Sequence, residues 1–380
     1  RLEKLDTEVL VAIRMGVYQL RHLERIPARA AINESVELVK HAGKRSAAPF
    51  VNAVLRKIAS FLPENERPIE RIRSARSSEV LTQWSAHPQW LVDRWIARFG
   101  FKAAQGICAH DQTIPQTAIR LRDATIEKEL LRDDIALAPG NLVADARQVL
   151  SGDVIRTKGF AEGRIVIQDE ASQLVALLVG KGQHIMDCCA APGGKTRILS
   201  DRNPKSSVVA LELHPGRARL LRKLVSAKNV HVLASDMRRT SVAAHFDRVL
   251  ADVPCSGTGT LARHPEIKWR LRQEDLPRLQ SYQLEILQSA MSRVAQGGRL
   301  VYSTCSLEEE ENSQVVQRAL ASDASFRLLD CRSELEDLKR HGHLVLSEID
   351  SVLQGKYLQI LPSELASDGF FAAILEKQSG

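Results

Sequence analysis

The chain has 380 residues, 44% of them apolar, and carries 53 Lys plus Arg against 46 Asp plus Glu. That is enough for two or three domains with their own cores, and it excludes disordered and fibrous classes. No stretch approaches the roughly 18 uncharged apolar residues of a membrane helix, and the start, RLEKLDTEVL, has neither the apolar segment nor the cleavage site of a secretory signal, so a cytoplasmic protein is expected. The six cysteines form no CxxC pair and no His/Cys cluster with zinc spacing, which argues against a disulfide framework and for no metal. Net charge is +5 over residues 1–150, +9 over 151–300 and −7 over 301–380. The basic two thirds suit a polyanion, although a solvated basic surface would look the same. With 4% aromatic residues, stacking platforms are not the main way of holding nucleic acid.

Near the N-terminus apolar residues recur at helical spacing in Leu10, Ile13, Val17 and Leu20, in Ile32, Val36 and Val39, and in Val51, Val54, Ile58 and Leu62. Three packed amphipathic helices are expected, separated by Pro27 and by Gly43 with the basic KRS after it. The first would begin almost at Arg1 without a capping signal, which suggests that earlier helices precede it. Residues 63–83 are polar and arginine-rich and read as a connector, helical in part. A helix over HPQWLVDRWIARFG, stopped by Gly100, opens a small α+β module containing the strand-like AIRLR, a helix near Glu127 to Arg132 and the strand-like RIVIQD.

From about Gly163 short apolar strands alternate with helices: HIMD, VVALEL, HVLAS, DRVLAD, GRLVYST, YLQILP and FFAAILEK. This alternation predicts a mostly parallel sheet with helices on both faces. Leu284, Leu287, Met291 and Val294 form a core stripe on the helix before GRLVYST. The expected division is therefore a helical domain and connector over 1–83, a small α+β module over 84–165 and an α/β domain over 166–380.

The first of these strands ends in Asp187 and runs into CCAAPGGKT, a tight turn of small residues that opens a helix at the place where doubly wound sheets bind nucleotide-like ligands. It is not a P-loop, since that pattern would need glycine at Cys189. Gly257, Gly259 and Ala262 have loose dinucleotide-fingerprint spacing, but Pro265 follows too soon for a helix. What remains suits a ligand that approaches the backbone closely and carries no pyrophosphate. Glu212 ends the next strand, where a carboxylate accepts ribose hydroxyls, and Asp236 ends the third, within reach of an adenine edge. The fourth and fifth strands deliver DVPCSGTG and STCS, so Cys255 and Cys305 emerge at neighbouring strand ends. Cys108, Cys188 and Cys331 read as inert small hydrophobes. Ser306 and Glu309 fit a capping box that would put Cys305 just before a helix N-terminus, with Glu308 to Glu311 as its solvated first turn.

The strings QDEASQLV, CCAAPGGKT, ADVPCSGTG, RHPEIKW, VYSTCS and DGFFAA resemble the Sun/Fmu family of S-adenosylmethionine-dependent RNA cytosine-5 methyltransferases. RMGVYQLRHLERIPARAAINESVELVK and FVNAVLRKI resemble the NusB-like helical domain of its bacterial small-subunit rRNA members. The resemblance implies a Rossmann-like methyltransferase sheet after an all-α NusB-like domain and a small RNA-binding module. It implies S-adenosyl-L-methionine on Cys189, Ala190, Ala191, Pro192, Gly193, Gly194 and Lys195, with its ribose on Glu212, its adenine near Asp236 and Asp252 at the reacting centre. Cys305 would attack carbon 6 of a cytosine in 16S rRNA, unpaired or flipped out of its helix, and Cys255 would assist loss of the carbon 5 proton and release of the product. Asp252 would stabilise the ring nitrogen edge, and Lys195 would help position the base. The family often has Asp where Glu212 stands and an apolar residue at Cys188, and its Arg-x-Asn pattern reads Arg120-Leu121-Arg122 here. The alternatives are a non-catalytic rRNA-binding or assembly factor and an amino-directed methyltransferase. Retention of both cysteines, Lys195 and Asp252 favours the cytosine-5 enzyme.

Overall fold

A computed structural model describes residues 4–23, 25–60, 68–123, 125–242, 245–362 and 365–378. Contacts divide the chain into two compact units, residues 1–67 and 68–380. The first holds three helices, α1 (Thr7–His22), α2 (Ala28–His41) and α3 (Ala48–Ser60). Helix α1 starts at Thr7 rather than near Arg1, and Pro27 stands immediately before α2, where its missing N–H leaves no bond unmade. Ile13, Ile32, Val39 and Val51 close the core as expected, joined by Val9 and Leu55, while Leu10, Val17, Leu20, Val36, Val54 and Ile58 are only partly buried; Leu62 and residues 63–67 lie outside the described residues.

The second unit opens with α4 (Pro68–Arg73), α5 (Ser78–Ser85), α6 (Gln89–Phe99) and α7 (Phe101–His110). The expected connector is thus largely helical. Ile72, Ala75 and Leu81 are fully buried against Leu91, Val92, Trp95 and Ile107, so the unit begins at Pro68 and not at residue 84. Arginine-rich composition hid these helices because only every third or fourth residue is apolar and the arginines point outward. Gly100 ends α6 at φ 82°, as expected.

A four-stranded antiparallel sheet follows, built from β1 (Thr117–Leu121), β2 (Ala136–Pro139), β3 (Ala146–Ser151) and β4 (Ile165–Ile167) in the order β2-β3-β1-β4. Helices α8 (Thr125–Arg132) and α9 (Lys158–Ala161) complete this module. Arg120 on β1 and Arg122 just past its end both bind Asp201, at 2.8 and 2.7 Å.

The large sheet contains β5 (His184–Asp187), β6 (Ser207–Glu212), β7 (Val230–Ala234), β8 (Phe246–Asp252) and β9 (Val294–Thr304), all parallel in the order β7-β6-β5-β8-β9. The order reverses between β5 and β8, and a ligand crevice forms at such a point. Beyond β9 the sheet turns antiparallel through β13 (Phe370–Lys377), β12 (Tyr357–Ile360) and β11 (Leu353–Gln354), with β10 (Phe326–Leu329) pairing on β13. Helices α10 (Glu170–Leu178), α11 (Gly194–Arg202), α12 (Pro215–Leu224), α14 (Leu276–Met291), α15 (Ser313–Ser322) and α16 (Cys331–Arg340) cover it, while Ile267 of α13 (Ile267–Arg270) packs against the core of α4 to α7. Asp169 caps α10 through the Ala171 N–H at 2.9 Å and also accepts from the Asp368 N–H at 3.1 Å, which fixes the turn into β13. On α14, Leu287 and Met291 are buried, while Leu284 is only partly so.

Candidate active site

In β8 and β9, Asp252 lies opposite Ser303. Both strands end near that level, so Cys255 and Cys305 leave the sheet side by side. Their Sγ atoms are 3.3 Å apart. Both are partly accessible thiols, whereas Cys108, Cys188 and Cys331 are buried. Burial pushes the thiols of Cys108 and Cys331 up to about 12, which keeps them protonated and inert. The Cys255 thiol is raised well above its ordinary value, first by its hydrogen bond with Cys305 and then by burial.

Three loops stack beneath the cysteines. The Gly259 N–H donates to the Cys305 carbonyl at 2.9 Å, and the Gly369 N–H donates to the Gly259 carbonyl at 2.7 Å. A side chain on Gly259 would overlap both backbones, so glycine is required here.

Asp252 joins the thiols to the small-residue turn. It accepts from Lys195 Nζ at 2.7 Å and from the Ser303 hydroxyl at 2.7 Å. Burial pulls the Lys195 ammonium down, but the charge and hydrogen bond of Asp252, with Cys305 and Asp187 behind it, raise it further, so it stays a cation. Its Nζ stands 5.2 Å from the ring centroid of Phe370. In the turn, Gly193 has φ 117° and a Cβ there would collide with Leu221 and Val225, which explains the glycine and the close approach it permits.

Residues Cys189 to Lys195, with Asp187 and Asp252, line a cavity of about 630 Å³. Phe160 and Ile165 to Gln168 of the small module line it too, together with Arg197 and Lys223 to Ser226; of these only Gln168, the first residue of QDEASQLV, lies in a motif singled out from the sequence. Glu212, Asp236, Cys255 and Cys305 do not line it. Glu212 and Asp236 nevertheless converge on the same turn. After burial, the charges of Asp187, Asp252, Glu212 and Asp236 are what push the Cys189 thiol well up. Glu212 is buried and accepts from the His214 N–H at 3.0 Å. Asp236 is held by Arg238 at 2.7 Å, which keeps its carboxyl below the usual range. Asp187 is fully buried and its pKa is pushed up to about 6 by that burial; Thr196 donates to one of its oxygens at 2.7 Å, and the other, Oδ1, has no hydrogen-bond partner. Asp187 and Asp252 thus line the cavity beside the glycine turn, one buried oxygen of Asp187 is left without a partner, and Glu212 and Asp236 stand near enough for their charges to act on Cys189.

The capping box after Cys305 does not form. Glu309–Glu311 is a single 3₁₀ turn, and the helix proper, α15, starts only at Ser313. Nor are the glutamates a solvated face. Glu308 and Glu311 are buried. Glu308 accepts from Arg94 Nε at 2.7 Å and from the Trp95 indole N–H at 3.1 Å, so α6 grips the segment that follows Cys305. Ser256, Ser303 and Phe370 lie within the strings ADVPCSGTG, VYSTCS and DGFFAA but are not singled out there as site residues, and Glu311 reads only as part of an acidic run. We expect Trp95→Ala to lower unfolding free energy by about 3–5 kcal/mol, read from the urea midpoint, because it empties a fully buried site and removes a donor to Glu308. A loss under about 1 kcal/mol would show that α6 is only loosely seated there.

Among the described residues no group of three or more His, Cys, Asp or Glu side chains could hold a metal ion, and no helix is long and apolar enough to cross a membrane. The family described as 16S rRNA methyltransferase RsmB/F matches residues 174–376, and the NusB family matches residues 1–60. The probable ribosomal RNA small subunit methyltransferase B of Bacillus subtilis (strain 168) is 33% identical across 99% of this chain and 84% of its own length. The ribosomal RNA small subunit methyltransferase B of Vibrio cholerae serotype O1 is 32% identical across 96% of this chain and 80% of its own. Among solved structures, PH0851 superposes with a TM-score of 0.78 at 25% identity, covering 99% of this chain and 84% of that one.

Proposed function

This chain belongs to the RsmB/F family of 16S rRNA methyltransferases, and from that premise we propose that it methylates carbon 5 of a cytosine in 16S rRNA through a transient bond between Cys305 and the base. The methyl donor is S-adenosyl-L-methionine, which supplies an electrophilic methyl group on a sulfonium when bound. The residues present fit it. Residues 189–195 with Asp187 would take its cationic end, Glu212 its ribose and Asp236 its adenine, with Asp252 beside the reacting centre. The orphaned Asp187 oxygen and the four converging carboxylates are what a ligand with two positive centres requires.

Carbon 5 of a neutral pyrimidine is a poor nucleophile, and addition of the Cys305 sulfur to carbon 6 makes it enamine-like. Asp252, held by Lys195 and Ser303, would stabilise the protonated or hydrogen-bonded ring nitrogen edge as charge develops. Lys195 keeps that carboxylate aimed. Cys255 assists loss of the carbon 5 proton and departure of Cys305. A base must leave its stack to reach such a pocket, which suits an unpaired or flipped cytosine, and the +9 charge of residues 151–300 suits the phosphates around it. The cytoplasm is where such a substrate is met.

The observation that carries this reading is the pair of sulfurs 3.3 Å apart beside the Lys195–Asp252 pair, an arrangement that amino-directed methylation does not need. Mapping 5-methylcytosine in 16S rRNA from cells with and without the protein tests it. One site should lose its signal and regain it with the restored chain. An unchanged map, or a lost mark on an exocyclic amine, would overturn it.

A further inference from the structure

Glu311 lies six residues beyond Cys305 and is fully buried. Its Oε1 accepts from the Ser256 N–H at 2.8 Å and from Gln283 Nε2 at 2.8 Å. Its Oε2 accepts from the Ser306 hydroxyl at 2.5 Å and from the Ser256 hydroxyl. Ser256 follows Cys255 and Ser306 follows Cys305, so a single carboxylate is bonded to the residue after each cysteine. The two hydroxyls also meet, at 3.0 Å.

The carboxylate is itself fixed. Tyr302 Oη donates to the Glu311 carbonyl at 2.6 Å, the Thr304 hydroxyl donates to the Asn312 side chain at 2.5 Å, and Asn312 Nδ2 donates to the Ser306 carbonyl at 2.9 Å. Residues 311 and 312 are thereby stapled to the end of β9. None of the four groups bonded to the carboxylate carries a charge, so it is compensated by donors alone. A glutamine at this position presents one oxygen and one NH₂: the oxygen can keep the Ser256 N–H and Gln283, but the NH₂ forces both serine hydroxyls to turn and accept, which reverses the bonds that hold Ser256 and Ser306 to one acceptor.

We propose that Glu311 is a positioning residue that sets the approach of Cys255 to Cys305 and thereby couples bond formation at one sulfur to release at the other. The catalytic half of this inference rests on the cytosine-5 reading above, whereas the thiol separation rests on geometry alone. The two halves are therefore tested separately in the full chain, with Glu311→Gln, Glu311→Ala and Ser306→Ala against wild type.

Diamide provides the first readout. It takes two electrons and two protons from a pair of thiols, leaving a disulfide and a hydrazine. Wild type should close Cys255 to Cys305 quickly, by peptide mass mapping, and both Glu311 variants should do so about tenfold more slowly. Ser306→Ala, which removes one donor and leaves Glu311 in place, should slow closure in the same direction by less, and it carries the test if the Glu311 variants fail to fold. Turnover on an rRNA fragment provides the second. In Glu311→Gln, kcat should fall about 10- to 100-fold while the dissociation constant for S-adenosylmethionine moves less than about twofold, and a larger share of enzyme should be trapped as a denaturation-resistant RNA adduct. Disulfide closure and turnover at wild-type rates in Glu311→Gln or Ser306→Ala would overturn the proposal. Slower closure in the variants alongside a wild type that forms no cytosine adduct would overturn the cytosine-5 reading and support the clamp.

Discussion

Cys305→Ala is expected to lower methyl transfer to 16S rRNA by roughly 10⁴-fold or more, and to abolish every covalent complex with RNA, while leaving S-adenosylmethionine binding and folding nearly unchanged. The magnitude follows from the chemistry. Without a sulfur on carbon 6 the pyrimidine keeps its aromatic stabilisation, and neither the Lys195–Asp252 pair nor a well-placed methyl group makes carbon 5 nucleophilic. Folding is spared because Cys305 is partly accessible and its backbone bonds remain, including the Gly259 N–H to its carbonyl at 2.9 Å. The measurement is a single-turnover assay with radiolabelled methyl donor, paired with denaturing gels. An adduct that survives Cys305→Ala and vanishes in Cys255→Ala would exchange the two roles. Near wild-type transfer would remove the thiol from the mechanism.

Much of this site was legible because strand ends are legible. Apolar runs of four to seven residues closed by Asp187, Glu212, Asp252 or Thr304 identify where each strand of a parallel sheet ends, and that edge is where such folds place their chemistry. The β8–β9 register then follows from topology, and it brings two cysteines 50 residues apart to 3.3 Å. The glutamates after Cys305 were misread for a physical reason. A run of four acids resembles a solvated first turn, and nothing local shows that Arg94 and Trp95, over 200 residues earlier, cover Glu308, or that Ser256 and Gln283 cover Glu311. Long-range burial of a charge leaves no periodic trace.

The small module was equally opaque. Its sheet lines part of the cavity, yet Ile165 to Ile167 reads only as a short strand, and Phe160 only as one aromatic in a turn. Arg120 and Arg122 stand where the resembled family has an Arg-x-Asn pattern. Their shared partner Asp201, near the C-terminal end of α11, gives them a structural task instead.

Cys255→Ala is expected to leave the first half of the reaction intact and stall the second, so that protein–RNA complex accumulates as a band resistant to heat and detergent while turnover falls on the order of 10²-fold. The reason lies in what raises the Cys255 thiol. The largest cause is its hydrogen bond with Cys305, followed by burial and then the charges of Cys305 and Glu311. While Cys305 is free, Cys255 therefore remains a thiol and is no base. Once the Cys305 sulfur is committed to carbon 6 it is a neutral thioether, and the largest of those causes is gone. On the proposed mechanism Cys255 can then give its proton to solvent and accept the one on carbon 5, after which the ring double bond re-forms and the Cys305 sulfur leaves as the thiolate. On the cytosine-5 reading the 3.3 Å contact would thus set the order of events. Alanine removes the acceptor without disturbing Ser256, whose N–H and hydroxyl stay on Glu311, so the adduct should form at close to the wild-type rate. Normal turnover with no band in Cys255→Ala would assign proton removal to another group, and the double variant with Cys305→Ala, which should show no band at all, confirms that the trapped species is bonded through Cys305.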